Sequence, residues 1–284
     1  MKWSTGRRSG NVIDARGGGG MGMPIAGGGI GMAVLALVVY LLGGDPSVVI
    51  NNAPTQGAPA NAPGPAQSGP PDEGSEFVRV VLGDTEDTWN DIFKKNGRDY
   101  PEPQLVLFSG AVRSGCGLAQ SAMGPFYCPS DQRVYIDLDF YRQLRDKFGA
   151  GGDFAQAYVI AHEVGHHVQT VLGVSDQVRD AQQDAGRRGA NALSVRMELQ
   201  ADCFAGVWAN HAHTVRRIVE PGDIEEALNA ASAIGDDKLQ MEQQGYVVPD
   251  SFTHGSSAQR ARWFLRGYKT GDVSQGDTFA AKQL

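Results

Sequence analysis

The sequence predicts an α+β fold, mostly helical with a small sheet, and two patterns carry that expectation. After Phe140, apolar residues recur at helical spacing through six segments, whereas only Gln104–Phe108 and Arg133–Leu138 read as strands in the body of the chain. A few strands followed by many helices is the α+β order. A third observation bounds the folded body. Thirteen of the 38 glycines fall in the first 44 positions, and six of the 14 prolines lie between Asn51 and Ser75, so Phe77–Leu284 is left as one large domain. The balance of 25 Lys+Arg against 32 Asp+Glu, a net charge of −7, argues against a nucleic-acid binder. Composition and period exclude collagen, a coiled coil, a repeat array and a polytopic membrane protein.

From the N-terminus, residues 1–23 form a basic, Gly-rich segment carrying Lys2, Arg7, Arg8 and Arg16 against Asp14 alone. Residues 24–43 hold no charge and centre on MAVLALVVYLL, the length of one transmembrane helix. The basic residues precede this span and none follows before Arg79, which predicts a single-pass protein with a cytoplasmic N-terminus and an extracytoplasmic domain. A cleaved signal peptide is the rival, disfavoured by the long apolar run and a poor small-x-small site at Leu42–Asp45. Residues 44–76, rich in Ala, Pro, Gly, Asn and Gln without an aromatic residue, read as a disordered linker.

In the domain, Phe77–Asn96 reads as a helix, since Val78, Val81, Leu82, Trp89, Ile92 and Phe93 share one face and Gly97 stops it. Arg133–Leu138 alternates, with Val134, Ile136 and Leu138 facing inward; it is either a core strand or an edge that pairs with an extended peptide. Cys116 and Cys128 flank an irregular segment and read as a disulfide in an oxidising compartment, with a pair of metal ligands as the weaker alternative. Cys203, in an apolar helical pattern, reads as a buried thiol. The helices expected after Phe140 are Phe140–Phe148, Asp153–Leu172, Ser175–Gly186, Ala190–Ala212, Asp223–Ile234 and Ser256–Tyr268.

Within the second of these lies Ala161-His162-Glu163-Val164-Gly165-His166-His167. Histidines four apart on a helix point the same way, about 6 Å from each other, a placement for two imidazoles on one Zn²⁺. Glu163, about 100° around the helix, stands beside the metal and can reach a water bound to it, as a general base must. His167 points away from that face, toward the surface or an outer supporting role. Gly165 inside a helix suggests close packing against another element. Thirty-two residues after His166, Glu198 and Asp202 share the face of a second helix that is otherwise apolar, where an unpaired carboxylate is costly. Zinc removes that cost for Glu198, and Asp202 is placed to accept the outer N–H of a ligand histidine.

The pattern His162-Glu163-x-x-His166 with Glu198-x-x-x-Asp202 resembles the gluzincin metallopeptidases. Thr253-His254, with Arg260 six residues on, is similar to a segment of the HtpX and CAAX prenyl protease families, although those have Pro where this chain has Gly255. A resemblance over almost the whole chain is to the bacterial putative neutral zinc metallopeptidase family. It is carried by the basic Gly-rich start with Trp3, the apolar span, the two cysteines, and the AHEVGHHVQ and ELQADCFAG segments. It implies a zincin-like domain, one Zn²⁺ per chain held by His162, His166 and Glu198, Glu163 as base, and a peptide or protein substrate. By the same resemblance His254 steadies the developing oxyanion, while Arg260 pairs with Asp202 or another acidic group. The resulting expectation is a membrane-anchored zinc endopeptidase. The alternative is a zinc-stabilised binding or scaffold domain, whose sign would be a fourth protein ligand such as His254; a non-peptide zinc hydrolase is a third reading.

Overall fold

The computed structural model describes residues 1–16 and 72–284. The expected span 24–43 and nearly all of the linker lie outside the described residues. Among those described, no helix is long and apolar enough to cross a membrane.

The elements in chain order are β1 (Val12–Asp14), α1 (Glu73–Lys95), β2 (Gln104–Phe108), the hairpin β3 (Ala111–Ser114) and β4 (Gly117–Gln120), β5 (Phe126–Cys128) and β6 (Arg133–Asp137). Helices follow: α2 (Asp139–Asp146), α3 (Asp153–Val171), α4 (Val174–Asp184), α5 (Arg187–Thr214), α6 (Asp223–Ala233), α7 (Asp236–Gln244) and α8 (Ser257–Thr270). The α+β expectation holds, mostly helical with a small sheet. That sheet has the order β1-β2-β6-β5, its first three strands parallel and β5 antiparallel on β6.

Residues 1–16, expected as a separate basic leader, are part of the folded body. Parallel strands need a crossover, and α1 supplies it between β1 and β2, whose register pairs Val12 with Leu105 and Asp14 with Leu107. Ser9 and Asn11 donate to Glu86 Oε1 at 2.6 and 2.8 Å, and Arg7 donates to Glu86 Oε2 at 2.7 Å. Trp3 packs edge-on against Phe77, and the Met1 amino group reaches Asp153 and Asp223. The domain boundary expected at residue 77 also moves upstream. Asp72 caps α1, accepting from Ser75 N at 2.7 Å while Ser75 Oγ accepts from Asp72 N, so the helix begins one turn before its apolar stripe.

Strand β6 is not an edge. It lies between β2 and β5, and Tyr135 and Asp137 are buried along with Val134 and Ile136, so both faces are covered rather than one. The second face packs Val106, Phe108, Cys128 and Tyr135 against Val112 of the hairpin. A disulfide between Cys116 and Cys128 ties that hairpin to β5. Closing so short a loop stabilises the fold by about 2–3 kcal/mol, and mild reduction is expected to lower the urea midpoint by the corresponding amount. Cys203 is a buried free thiol.

The helical layer brings three long elements into contact. At Gly165 an added Cβ would stand 3.0 Å from Ala201 O, so α3 and α5 meet closely there. On the other side of α5 the approach is closer still: a Cβ on Gly267 would lie 1.9 Å from Cys203 O, and one on Gly206 2.1 Å from Phe264 O. Those two glycines let α8 seat its backbone on α5, one turn from the α5 residue that its Arg260 reaches.

Candidate metal centre

Helix α3 is buried almost throughout because Phe154, Ala157, Tyr158, Ile160, Ala161, Val164 and Val168 leave only a narrow polar strip, and His162 and His166 lie on it. Helix α5 presents Glu198 and Asp202 from an otherwise apolar face. Where the two cross, one ligand atom from each of His162, His166 and Glu198 falls within 4.8 Å of the others. His162 Nε2 is 3.2 Å from Glu198 Oε2, and His166 Nε2 is 3.3 Å from Glu198 Oε1. Two atoms each about 2.0–2.1 Å from one tetrahedral ion stand about 3.3–3.4 Å apart, so the donor set and its spacing fit zinc.

The outer sides of both rings are held. His162 Nδ1 lies 2.8 Å from Asp202 Oδ1, and His166 Nδ1 lies 2.8 Å from Gln169 Oε1. Each is an acceptor, so each ring carries a proton on Nδ1, and Nε2, which faces Glu198, is the nitrogen that a metal would take. Asp202 is fully buried and is satisfied by Tyr158 and by both Nε and Nη2 of Arg260, at 2.9 and 3.0 Å. Burial alone would raise the Asp202 pKa, but the charges of Arg260 and His162 outweigh it and hold the carboxylate at about 2. Burial opposes charge on His162 too, yet Asp202 and Glu198 overcome it and lift that ring to about 10. Glu198 is pulled well below the usual carboxylate range against its own burial, chiefly by His166. Without a metal the cluster therefore retains protons, the behaviour of a pocket arranged around positive charge.

Glu163 lies beside this cluster, 8% exposed, and makes no hydrogen bond among the described residues. Its burial raises its pKa although the two ligand histidines pull the other way. His254 approaches from the loop after α7. Burial disfavours its charge, but its hydrogen bond to Asp236 and the nearby charge of Glu198 raise its pKa. Asp236 Oδ1 is 3.1 Å from His254 Nδ1, while Oδ2 accepts from the backbone N–H groups of Thr253, His254 and Gly255 at 2.7, 2.7 and 3.0 Å. Gly255 has φ of +92°, and its N–H is one of the three donors. Proline, which would offer neither that φ nor an N–H, could not build this loop.

Three supporting residues were not foreseen from the sequence: Tyr158, Gln169 and Asp236. Tyr158 stands four residues before His162 and Gln169 three after His166, so each is a polar residue on the ligand face of an apolar helix, a readable signal. Asp236 gave none. His167 is neither exposed nor on the metal side: fully buried, it donates from Nε2 to Pro101 O at 2.6 Å and accepts at Nδ1 from Tyr127 of β5 at 3.1 Å. It clamps α3 to the outer strand of the sheet. Gln169 Nε2 donates to Met197 O at 2.7 Å, which fixes its Oε1 on His166. Gln169→Ala is expected to weaken zinc binding about 10–100-fold, read by competition with a fluorescent chelator.

The chain is 51% identical over 288 residues to the uncharacterized protein YpfJ of Escherichia coli K12, covering 98% of this chain and 99% of the relative. It is 44% identical over 256 residues to the uncharacterized proteins Mb2605 of Mycobacterium bovis and Rv2575 of Mycobacterium tuberculosis, covering 86% of both chains in each pair. No solved structure matches. The family model described as putative neutral zinc metallopeptidase matches residues 1–279, and the chain belongs to that family.

Proposed function

We propose that this chain is a zinc-dependent endopeptidase in which His162, His166 and Glu198 hold the metal and Glu163 is the general base. The observation that carries the reading is the three-donor cluster at ligand spacing, with a carboxylate one residue from its first histidine that makes no hydrogen bond among the described residues. Zinc, when bound there, supplies Lewis acidity toward a scissile carbonyl and toward water. Glu163 takes the proton of the attacking water and delivers it to the departing amine. His254, steadied by Asp236, donates to the oxygen that gains charge as the carbonyl is attacked. Asp202 and Gln169 keep the ligand rings oriented, and Arg260 keeps Asp202 ionised.

The sign of the scaffold alternative was a fourth protein ligand such as His254. Among the described residues the cluster at shared-ligand spacing comprises His162, His166 and Glu198, and no further His, Cys, Asp or Glu joins it, which favours an open position for reaction. The test is hydrolysis of an unfolded protein by the full chain loaded with one zinc. Cleavage should stop on chelation and return with zinc. A chain that binds zinc stoichiometrically yet cleaves neither unfolded proteins nor a peptide library would overturn the reading.

A further inference from the structure

The hydropathy of residues 24–43 divides the chain into a cytoplasmic leader and a domain beyond the membrane, yet the structure packs those two pieces together. Strand β1 completes the sheet, Ser9 and Val12 are buried, and Glu86 on α1 is satisfied by Arg7, Ser9 and Asn11. The two residues that bracket the intervening stretch also meet, with Arg16 Nη1 2.8 Å from Asp72 Oδ2. A chain that crosses a bilayer once leaves its flanks on opposite sides of about 30 Å of hydrocarbon. Strands of one ladder cannot be separated in that way. A crossing and a return would reunite them, but the sequence between Arg16 and Asp72 has apolar length for one crossing only. The rest is rich in Pro, Gly, Asn and Gln and offers no second run of about 20 apolar residues.

We infer that residues 1–16 and the zinc-ligand cluster lie on the same side of any membrane this protein meets, so that residues 24–43 do not separate them as a single-pass anchor. The basic residues that set the expected orientation have another use here. Arg7 pairs with Glu86 and Asp87, Arg8 with Glu76, and Arg16 with Asp14 and Asp72. Apart from Arg16–Asp14, which is internal to the segment, these pairs help fasten the first sixteen residues to the domain. This inference rests on packing alone and stands whether or not the chain is a peptidase.

The test uses the full-length protein in intact cells. A Cβ built on Gly6 lies 3.8 Å from the Val80 Cβ, the separation typical of a disulfide, so Gly6→Cys with Val80→Cys should close after brief oxidation. The native cysteines do not interfere, since Cys116 and Cys128 are paired and Cys203 is buried. The expected result is a monomeric band whose mobility shift disappears with reductant and is absent from either single variant. Separately, Ser4→Cys and Gln243→Cys, both at exposed positions, should react with a membrane-impermeant maleimide from the same side. Labelling of those two positions from opposite sides would overturn the inference, as would a cross-link that forms between two chains instead of within one. If the cysteine pair fails to accumulate, the labelling experiment alone decides.

Discussion

Glu163→Gln is expected to lower kcat for peptide hydrolysis by about 10²–10⁴-fold while leaving zinc stoichiometry at one per chain. Glutamine keeps the shape of the side chain and removes its capacity to accept a proton. The ligand set does not involve residue 163, and Glu163 makes no hydrogen bond among the described residues whose loss would disturb the helix. The position also tolerates the neutral group well, because burial already works against the carboxylate. KM should move little, since a base that acts on water contributes to the barrier more than to substrate binding. Steady-state kinetics together with metal analysis on the same preparation read both quantities. A variant with parental kcat would remove Glu163 from the mechanism, and a variant without zinc would make it structural.

The centre was legible where function obeys helical geometry. His162, His166, Glu198 and Asp202 announce themselves because four-residue spacing converts directly into a shared face, and carboxylates on an apolar face need a partner. The structure brings all four together, with Arg260 on Asp202. Contacts between segments distant in sequence left no such trace. Asp236 lies 18 residues before His254 and acts through loop amides, so no periodicity points to it. His167 was assigned to the surface or to an outer supporting role from its angle on the helix alone. A second surface, formed by Tyr127 and the loop at Pro101, covers that side.

The folded edges of the domain were the least legible. Strand β1 is three residues long and pairs with β2 across the whole of α1, too short for alternation to register and too distant for a turn signal. Composition pointed to another role for these residues, because a basic Gly-rich stretch before an apolar run is the ordinary signature of membrane orientation. The structure gives the same arginines acidic partners at 2.5–3.1 Å. Strand β6, whose alternation suggested one solvated face, is covered on that face by residues of β2, the hairpin and β5, a relation visible only after the sheet is assembled.

A chain beginning at residue 72 is therefore expected to be severely destabilised, although it retains every residue of the metal centre. Glu86 is 1% exposed and would lose its bonds from Arg7, Ser9 and Asn11. Each hydrogen bond to a charged group contributes about 1.5–3 kcal/mol. Removal of β1 also uncovers the ladder edge of β2, where Leu105 and Leu107 are fully buried. Against a typical total stability of about 5–15 kcal/mol, the Glu86 cost alone takes a large share, and the open strand edge invites association between chains. Urea unfolding followed by circular dichroism should show a much lower midpoint for the shortened chain, with weaker zinc retention as a consequence of unfolding. Glu86→Leu in the full chain should be destabilising because it strands the buried Ser9 hydroxyl, whereas in the shortened chain, which lacks Ser9, the same change should cost little. Equal midpoints for the full and shortened chains would show that the first sixteen residues are accessory to the fold, and would remove the packing argument that puts them on the same side of a membrane as the zinc site.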